Sequence, residues 1–239
     1  MKAFAALLER LVLTPQRTVK LRLLADYFRN APDPDRGYAL AAICGTLDLK
    51  ALKPALLREL VGERVDPVLF GYSYDYVGDL AETIALIWPI PDDVPTEARG
   101  ADLALGGVVE RLRLLGRGET AAMVRDTLDR LGPSERFAFL KLGTGGLRVG
   151  VSGRLAMQAL ASLGEVEAAD LEALWHGLGP PYTALFAFAL GTGPRPEPRS
   201  RAVFRPVMLS TAITDATLPR SIRPTSSPSG NGTASASRR

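Results

Sequence analysis

Apolar side chains recur every three to four positions along most of this chain, which is the spacing of one face of an α-helix. Leu21, Leu24 and Phe28 share one such face. No alternating apolar and polar run, as expected of a β-strand, occurs before residue 200. The pattern therefore predicts an all-α domain of many short helices, over residues 2–13, 16–30, 37–47, 50–61, 74–88, 102–116, 119–131, 134–142, 153–163, 168–177 and 181–190.

Proline-rich segments separate these helices and divide the chain. We interpret Val65-Asp66-Pro67 and residues 89–100 as helix breakers. Residues 1–192 are predicted to form the helical domain, and proline and arginine dominate the linker that starts at 193. The segment 204–209, FRPVML, is apolar and β-like, so we interpret 193–209 as a linker and the start of a further domain.

The last 30 residues have a different composition. Residues 210–239 are rich in Ser, Thr, Pro, Gly and Arg and contain few large apolar side chains. Such a segment cannot bury enough surface to offset its ordering entropy. We therefore predict that this tail is disordered.

Composition restricts the class of protein. The 239 residues are 46% apolar, enough for one good core, and no apolar run approaches the length of a membrane span. Glu9 and Arg10 lie within the first amphipathic helix, which argues against a signal peptide. The single cysteine, Cys44, allows no internal disulfide, and no cluster of Cys, His and acidic residues indicates a metal site. We expect a cytoplasmic monomer with no membrane contact.

Charge alone does not indicate nucleic-acid binding. The net charge of +3 comes from the C-terminal part of the chain, where arginines outnumber acidic residues. Residues 1–193 carry a net charge of −3. Only a local basic patch could therefore attract a polyanion to the helical domain.

A glycine-rich turn between two predicted helices is the strongest candidate for such a patch. Gly145 and Gly146 can adopt positive φ, and Ser152 is a good N-cap for the helix that follows. The free amides at that helix start, with Arg148 and Arg154 beside them, predict a site for a phosphate group. Phosphate contacts carry no base information, so this site would suit sequence-independent binding of nucleic acid.

Other interpretations of the turn remain open at this point. It lacks the Gly-Lys-Ser/Thr of a P-loop, and a predicted helix precedes it, unlike a dinucleotide-binding fingerprint. It could also be an ordinary connection between two helices. The rival hypothesis for the whole chain is a helical protein-interaction module without a nucleic-acid role.

The segment TGGLRVGVSGRLAMQALA (144–161) closely resembles the signature of the N-terminal DNA-binding domain of ATP-dependent DNA ligases. Residues 17–28, 64–88 and 172–182 resemble segments of the bacterial branch, and FRPVML resembles the family's lead-in to its catalytic domain. The resemblance implies an all-helical domain that sits on nicked duplex DNA. The DNA-contacting residues that it implies are Lys141, Thr144, Gly145, Gly146, Leu147, Arg148, Gly150, Ser152 and Arg154.

The resemblance also implies nick sealing in DNA repair and recombination, with ATP and Mg²⁺ as cofactors of the intact protein. That chemistry needs a lysine in a K-x-D-G motif, which occurs nowhere in these 239 residues. We therefore expect a chain that is truncated before the adenylation lysine, has no catalytic residues and holds no cofactor. Codons for residues 229–234, shifted by one frame, can encode Glu-Trp-Lys-Trp-Asp-Gly. Our hypothesis is therefore a frameshift near 210–219 that makes residues 210–239 an out-of-frame tail.

Overall fold

The computed structural model describes residues 1–49, 52–90, 103–114 and 116–197. Every regular element within these ranges is a helix, which confirms the predicted all-α class. The predicted tail and most of the predicted linker lie outside the described residues. The helices are α1 (Lys2–Leu13), α2 (Arg17–Asn30), α3 (Asp35–Ile43), α4 (Pro54–Gly62), α5 (Pro67–Val77), α6 (Leu80–Ile87), α7 (Leu105–Leu114), α8 (Arg117–Arg130), α9 (Pro133–Thr144), α10 (Gly153–Ala161), α11 (Ala168–Trp175) and α12 (Thr183–Ala189).

One continuous apolar core joins these helices. Helix α9 packs against α1 and α6, and α10 packs against α2 and α11. Phe4, Phe28, Phe139 and Phe186 are fully buried, and the rings of Phe28 and Phe186 meet edge to face at 5.4 Å. Each such side chain contributes about 2–3 kcal/mol to folding by leaving water. Among the helices described, none is both long and apolar enough to cross a membrane.

The predicted helix 74–88 is wrong, because two helices occupy this region. Helix α5 ends at Gly78, which adopts a φ of 74°, and Asp79 then caps α6 by accepting a hydrogen bond from the Glu82 amide at 3.0 Å. The sequence pattern does not predict the first part of α5, because we interpret Val65-Asp66-Pro67 as a helix breaker. Asp66 is instead the N-cap, and Pro67 occupies the first helical position, where its missing N–H costs nothing.

The predicted helix 37–47 is also displaced. Helix α3 begins two residues earlier and ends at Ile43. Gly45 adopts a φ of 70°, and the Thr46 amide donates back to the Ala41 carbonyl at 2.9 Å. This left-handed glycine ends the helix before the apolar pattern of the sequence does.

Two polar side chains, half-buried Asp35 and buried Arg136, connect helices that are distant in sequence. The Asp35 carboxylate accepts the first two amides of α7, both at 2.8 Å, and so caps that helix from α3. Arg136 on α9 is buried and donates to the carbonyls of Leu128 and Trp88, at 2.7 and 3.0 Å. Asp35 thus joins α3 to α7, and Arg136 joins α9 to α8 and to the residue that follows α6. The last residues of α9 lead into the glycine-rich turn.

Candidate functional site

The connection between α9 and α10, residues 145–152, is named the glycine loop here. Gly145 ends α9 with a φ of 70°, and the Gly146 amide donates to the Lys141 carbonyl at 3.1 Å. This pairing satisfies a carbonyl at the end of the helix. The second glycine with positive φ is Gly150, at 62°, rather than Gly146 as the sequence suggested. Ser152 caps α10 as predicted, because its Oγ accepts a hydrogen bond from the Leu155 amide at 3.2 Å.

Close packing fixes the loop at both ends. At the α9 end, a Cβ on Gly143 would lie 2.4 Å from the Leu52 side chain, and the Leu52 amide donates to the Gly143 carbonyl at 3.0 Å. At the α10 end, a Cβ on Gly153 would lie 2.7 Å from the ring of Trp175. Between these ends, Val149 is buried. The loop therefore has a defined shape on the surface of the domain.

The side chain of Lys20 forms hydrogen bonds with the backbone in the middle of the glycine loop. This side chain on α2 is only 9% exposed, and its ammonium group donates to the carbonyls of Val149, at 2.8 Å, and Gly150, at 3.1 Å. Sequence reasoning did not single out Lys20. A lysine at an apolar position of the helical pattern, among Leu24, Phe28 and their neighbours, was the available signal.

The residues predicted to contact DNA all lie within 141–154, and they differ in exposure. Thr144 is half-buried, and its hydroxyl donates to the Leu140 carbonyl at 2.8 Å. Leu147 is half-buried and packs against the core. Lys141 is also half-buried. The remaining predicted residues are exposed: Gly145, Gly146, Arg148, Gly150, Ser152 and Arg154.

Two of the predicted cations are available to an incoming anion. Arg148 is exposed and has no ion pair within the ranges that the structure describes. Arg154 lies 3.9 Å from the Glu172 carboxylate, and its side chain is 77% exposed. An exposed ion pair at this distance contributes little to stability.

Lys141 is engaged within the protein. Its ammonium group donates to the Asp79 carboxylate at the start of α6 and lies 5.5 Å from the centre of the Phe137 ring. Desolvation raises the pKa of Asp79, but hydrogen bonds from Lys141 and the Glu82 amide outweigh it and hold that pKa below its ordinary value. A DNA phosphate would therefore compete with this carboxylate for the Lys141 ammonium group.

The start of α10 supplies the other component of an anion site. The first amides of a helix have no partner within it, and the helix dipole places partial positive charge there. Gly153 and Arg154 carry these amides in α10, directly after the exposed loop. Free amides at a helix start, with exposed guanidinium groups near them in the chain, can bind a phosphate without reading a base.

The fold and this loop define a helical domain with an exposed, amide-rich turn. The family model described as "DNA ligase N terminus" matches residues 1–161, more than half of the chain. The chain belongs to this family of DNA ligase N-terminal domains, which confirms the resemblance noted from the sequence. A comparison with curated proteins gives no significant match.

Proposed function

We propose that this chain binds duplex DNA at nicks, without sequence preference, through the glycine loop and the start of α10. The observation that carries this proposal is the exposed loop, with Arg148 unpaired among the described residues and Arg154 only loosely held by Glu172. Membership of the DNA ligase N-terminal family supports DNA as the polyanion. The partners of the loop would be phosphates, so binding should weaken as salt rises.

The test is a titration of nicked duplex against the chain at two salt concentrations. We expect Arg148→Ala to weaken binding about tenfold at low salt and to reduce the salt slope by about one, because one phosphate contact is lost. Arg29→Ala is the matched control, since Arg29 is exposed at the far end of α2 and pairs with Asp26 at 3.5 Å. Salt-independent binding, or equal losses for the two variants, would contradict the proposal.

The wider role that we propose is nick sealing in DNA repair and recombination by a cytoplasmic, ATP-dependent ligase that contains this domain. The residues present do not fit the nucleotide chemistry of that reaction. No K-x-D-G motif occurs in the sequence, and Lys141, its last lysine, is paired with Asp79 inside the helical domain. No step of nucleotide transfer is therefore assigned to these residues.

One observation favours the rival function, a protein-interaction module. Val68, Leu69, Tyr72 and Tyr76 form an apolar stripe on the outer face of α5, and Tyr72 and Tyr76 are 75% and 93% exposed. Exposed apolar patches of this kind mark interaction surfaces. If the chain does not bind nicked duplex at either salt concentration, the result would favour this second function.

A further inference from the structure

We infer that Lys20 is a positioning residue for DNA binding, which orients two amides of the glycine loop toward the ligand. This inference rests on the proposed function. Lys20 lies beneath the loop, and its ammonium group donates to two successive carbonyls, of Val149 and Gly150, at 2.8 and 3.1 Å. Only 9% of the residue is exposed, so it does not contact DNA itself.

These two hydrogen bonds also fix the direction of two backbone amides, because each peptide unit is planar. In a trans peptide the C=O and the following N–H point in opposite directions. Because the carbonyls of Val149 and Gly150 point inward to Lys20, the amides of Gly150 and Val151 point away from it. Neither amide donates a hydrogen bond to any described residue. Successive free amides of this kind form a concavity that suits an anion.

The backbone of Gly150 makes this arrangement depend on Lys20. Its φ of 62° lies in the left-handed region, and a Cβ built there would lie 2.8 Å from Nζ of Lys20. The ammonium group therefore occupies the space beside the glycine and binds the two carbonyls on either side of its Cα. Without this group, two buried or half-buried carbonyls would turn toward water and take the amides with them.

The experiment compares the full chain with its Lys20→Met variant, which keeps the length of the side chain and removes the donors. In the DNA-free protein, we expect the amide resonances of Gly150 and Val151 to shift. We expect affinity for nicked duplex to fall about tenfold, as for the loss of two aimed hydrogen bonds. Arg148→Ala should lower affinity by a smaller factor in the Lys20→Met background than in the wild type, because the loop no longer holds Arg148 in place.

A matched control separates positioning from general destabilisation. Thr127→Val on α8 removes a buried hydroxyl that donates to the Met123 carbonyl at 2.7 Å, away from the loop. It should lower the melting temperature and leave the affinity of the folded protein unchanged. A folded Lys20→Met variant with wild-type affinity, or the same Arg148→Ala factor in both backgrounds, overturns the inference.

If Lys20→Met does not fold, a substitution in the glycine loop tests the same contact between Lys20 and the loop. Gly150→Ala should shift the same amide resonances and weaken binding, and unchanged binding by this variant overturns the inference. If the wild type itself does not bind nicked duplex, the proposed function fails, and with it a role of Lys20 in binding. The amide shifts in the free protein then still show whether Lys20 orients the loop, so the two failures are distinguishable.

Discussion

Several glycines in this domain occupy positions where even a methyl group has no room. A Cβ built on Gly37 would lie 1.4 Å from the carbonyl oxygen of Pro181, and one built on Gly164 would lie 2.1 Å from that of Ala189. Backbone atoms are the obstacles in both cases, so a rotamer change cannot relieve the clash. At these residues the helices α3 and α12 approach neighbouring backbone directly, and the absence of a side chain is what permits it.

We expect Gly37→Ala to destabilise the domain by about 3 kcal/mol or more, because the backbone of α3 must move away from Pro181. Gly71→Ala is its control, since Gly71 lies within α5 and a Cβ there meets nothing within 4 Å. That change should raise the free energy of unfolding by up to about 1 kcal/mol through helix propensity. Urea denaturation measures both, and equal stabilities for the two variants would contradict the packing argument.

At the scale of the helices, the sequence predicted most elements but not how they begin and end. Amphipathic spacing located α1, α2, α9 and α10 within a few residues. The amphipathic spacing did not identify the first part of α5. Phe70 of this helix packs against the core while Val68 and Leu69 are exposed, so the helix has no single apolar face. The break before α6 depends on Gly78 and Asp79, where apolar residues on both sides suggested one continuous helix.

The junction of α5 and α6 gives a prediction about pH. Asp79→Asn keeps an equally good N-cap but removes the charge that pairs with Lys141. The pKa of Asp79 is lower in the folded protein than its ordinary value. The stability that its charge contributes is therefore complete above the unfolded-state pKa of about 4 and is lost as pH falls through the lower folded-state pKa.

Because Asp79 is partly exposed, its charge should stabilise the protein only weakly. At pH 7 we expect the free energy of unfolding of the wild type to exceed that of Asp79→Asn by less than about 1 kcal/mol. Urea titrations at pH 7 and near pH 2 measure the difference. It should disappear at the lower pH, and a difference that persists there would mean that the Asp79 charge is not its source.

The candidate site shows the same division between what a sequence predicts and what packing decides. The pattern of glycines, Ser152 and arginines located the loop and the cap of α10, since these depend on local conformational preferences. The inward carbonyls of Val149 and Gly150 depend on Lys20, more than a hundred residues earlier, and no local pattern connects them. The ion pair of Lys141 with Asp79 is likewise a tertiary contact, absent from any reading of the α9 sequence.

At the scale of the whole molecule, a single apolar core extends from Met1 to Ala189 through the described helices. The two tryptophans lie far apart in the chain and in different surroundings. Trp88 follows α6, where its Nε1 donates to Asp129 at 2.8 Å, while Trp175 ends α11 and packs on Gly153. They can therefore report on two parts of one core.

We expect this core to unfold in a single cooperative transition. Tryptophan fluorescence of Trp88→Phe, which reports on Trp175, should give one melting curve that coincides with far-UV circular dichroism of the same variant. In Trp175→Phe, the fluorescence of Trp88 should likewise give one melting curve that coincides with far-UV circular dichroism of that variant. Separate fluorescence and dichroism midpoints within either variant would instead show that the helices form two independently stable parts.

Lys20 binds the glycine loop itself, and Leu52 and Trp175 pack on Gly143 and Gly153, just outside its two ends. A segment held in this way is pre-organised, because much of the conformational entropy of its backbone is lost when the domain folds, and less is lost when a ligand binds. A rigid receptor of this kind can discriminate between ligands by the spacing of their charged groups. For a polymer of evenly repeated phosphates, that spacing is set by the geometry of the strand and is the same at every position along it.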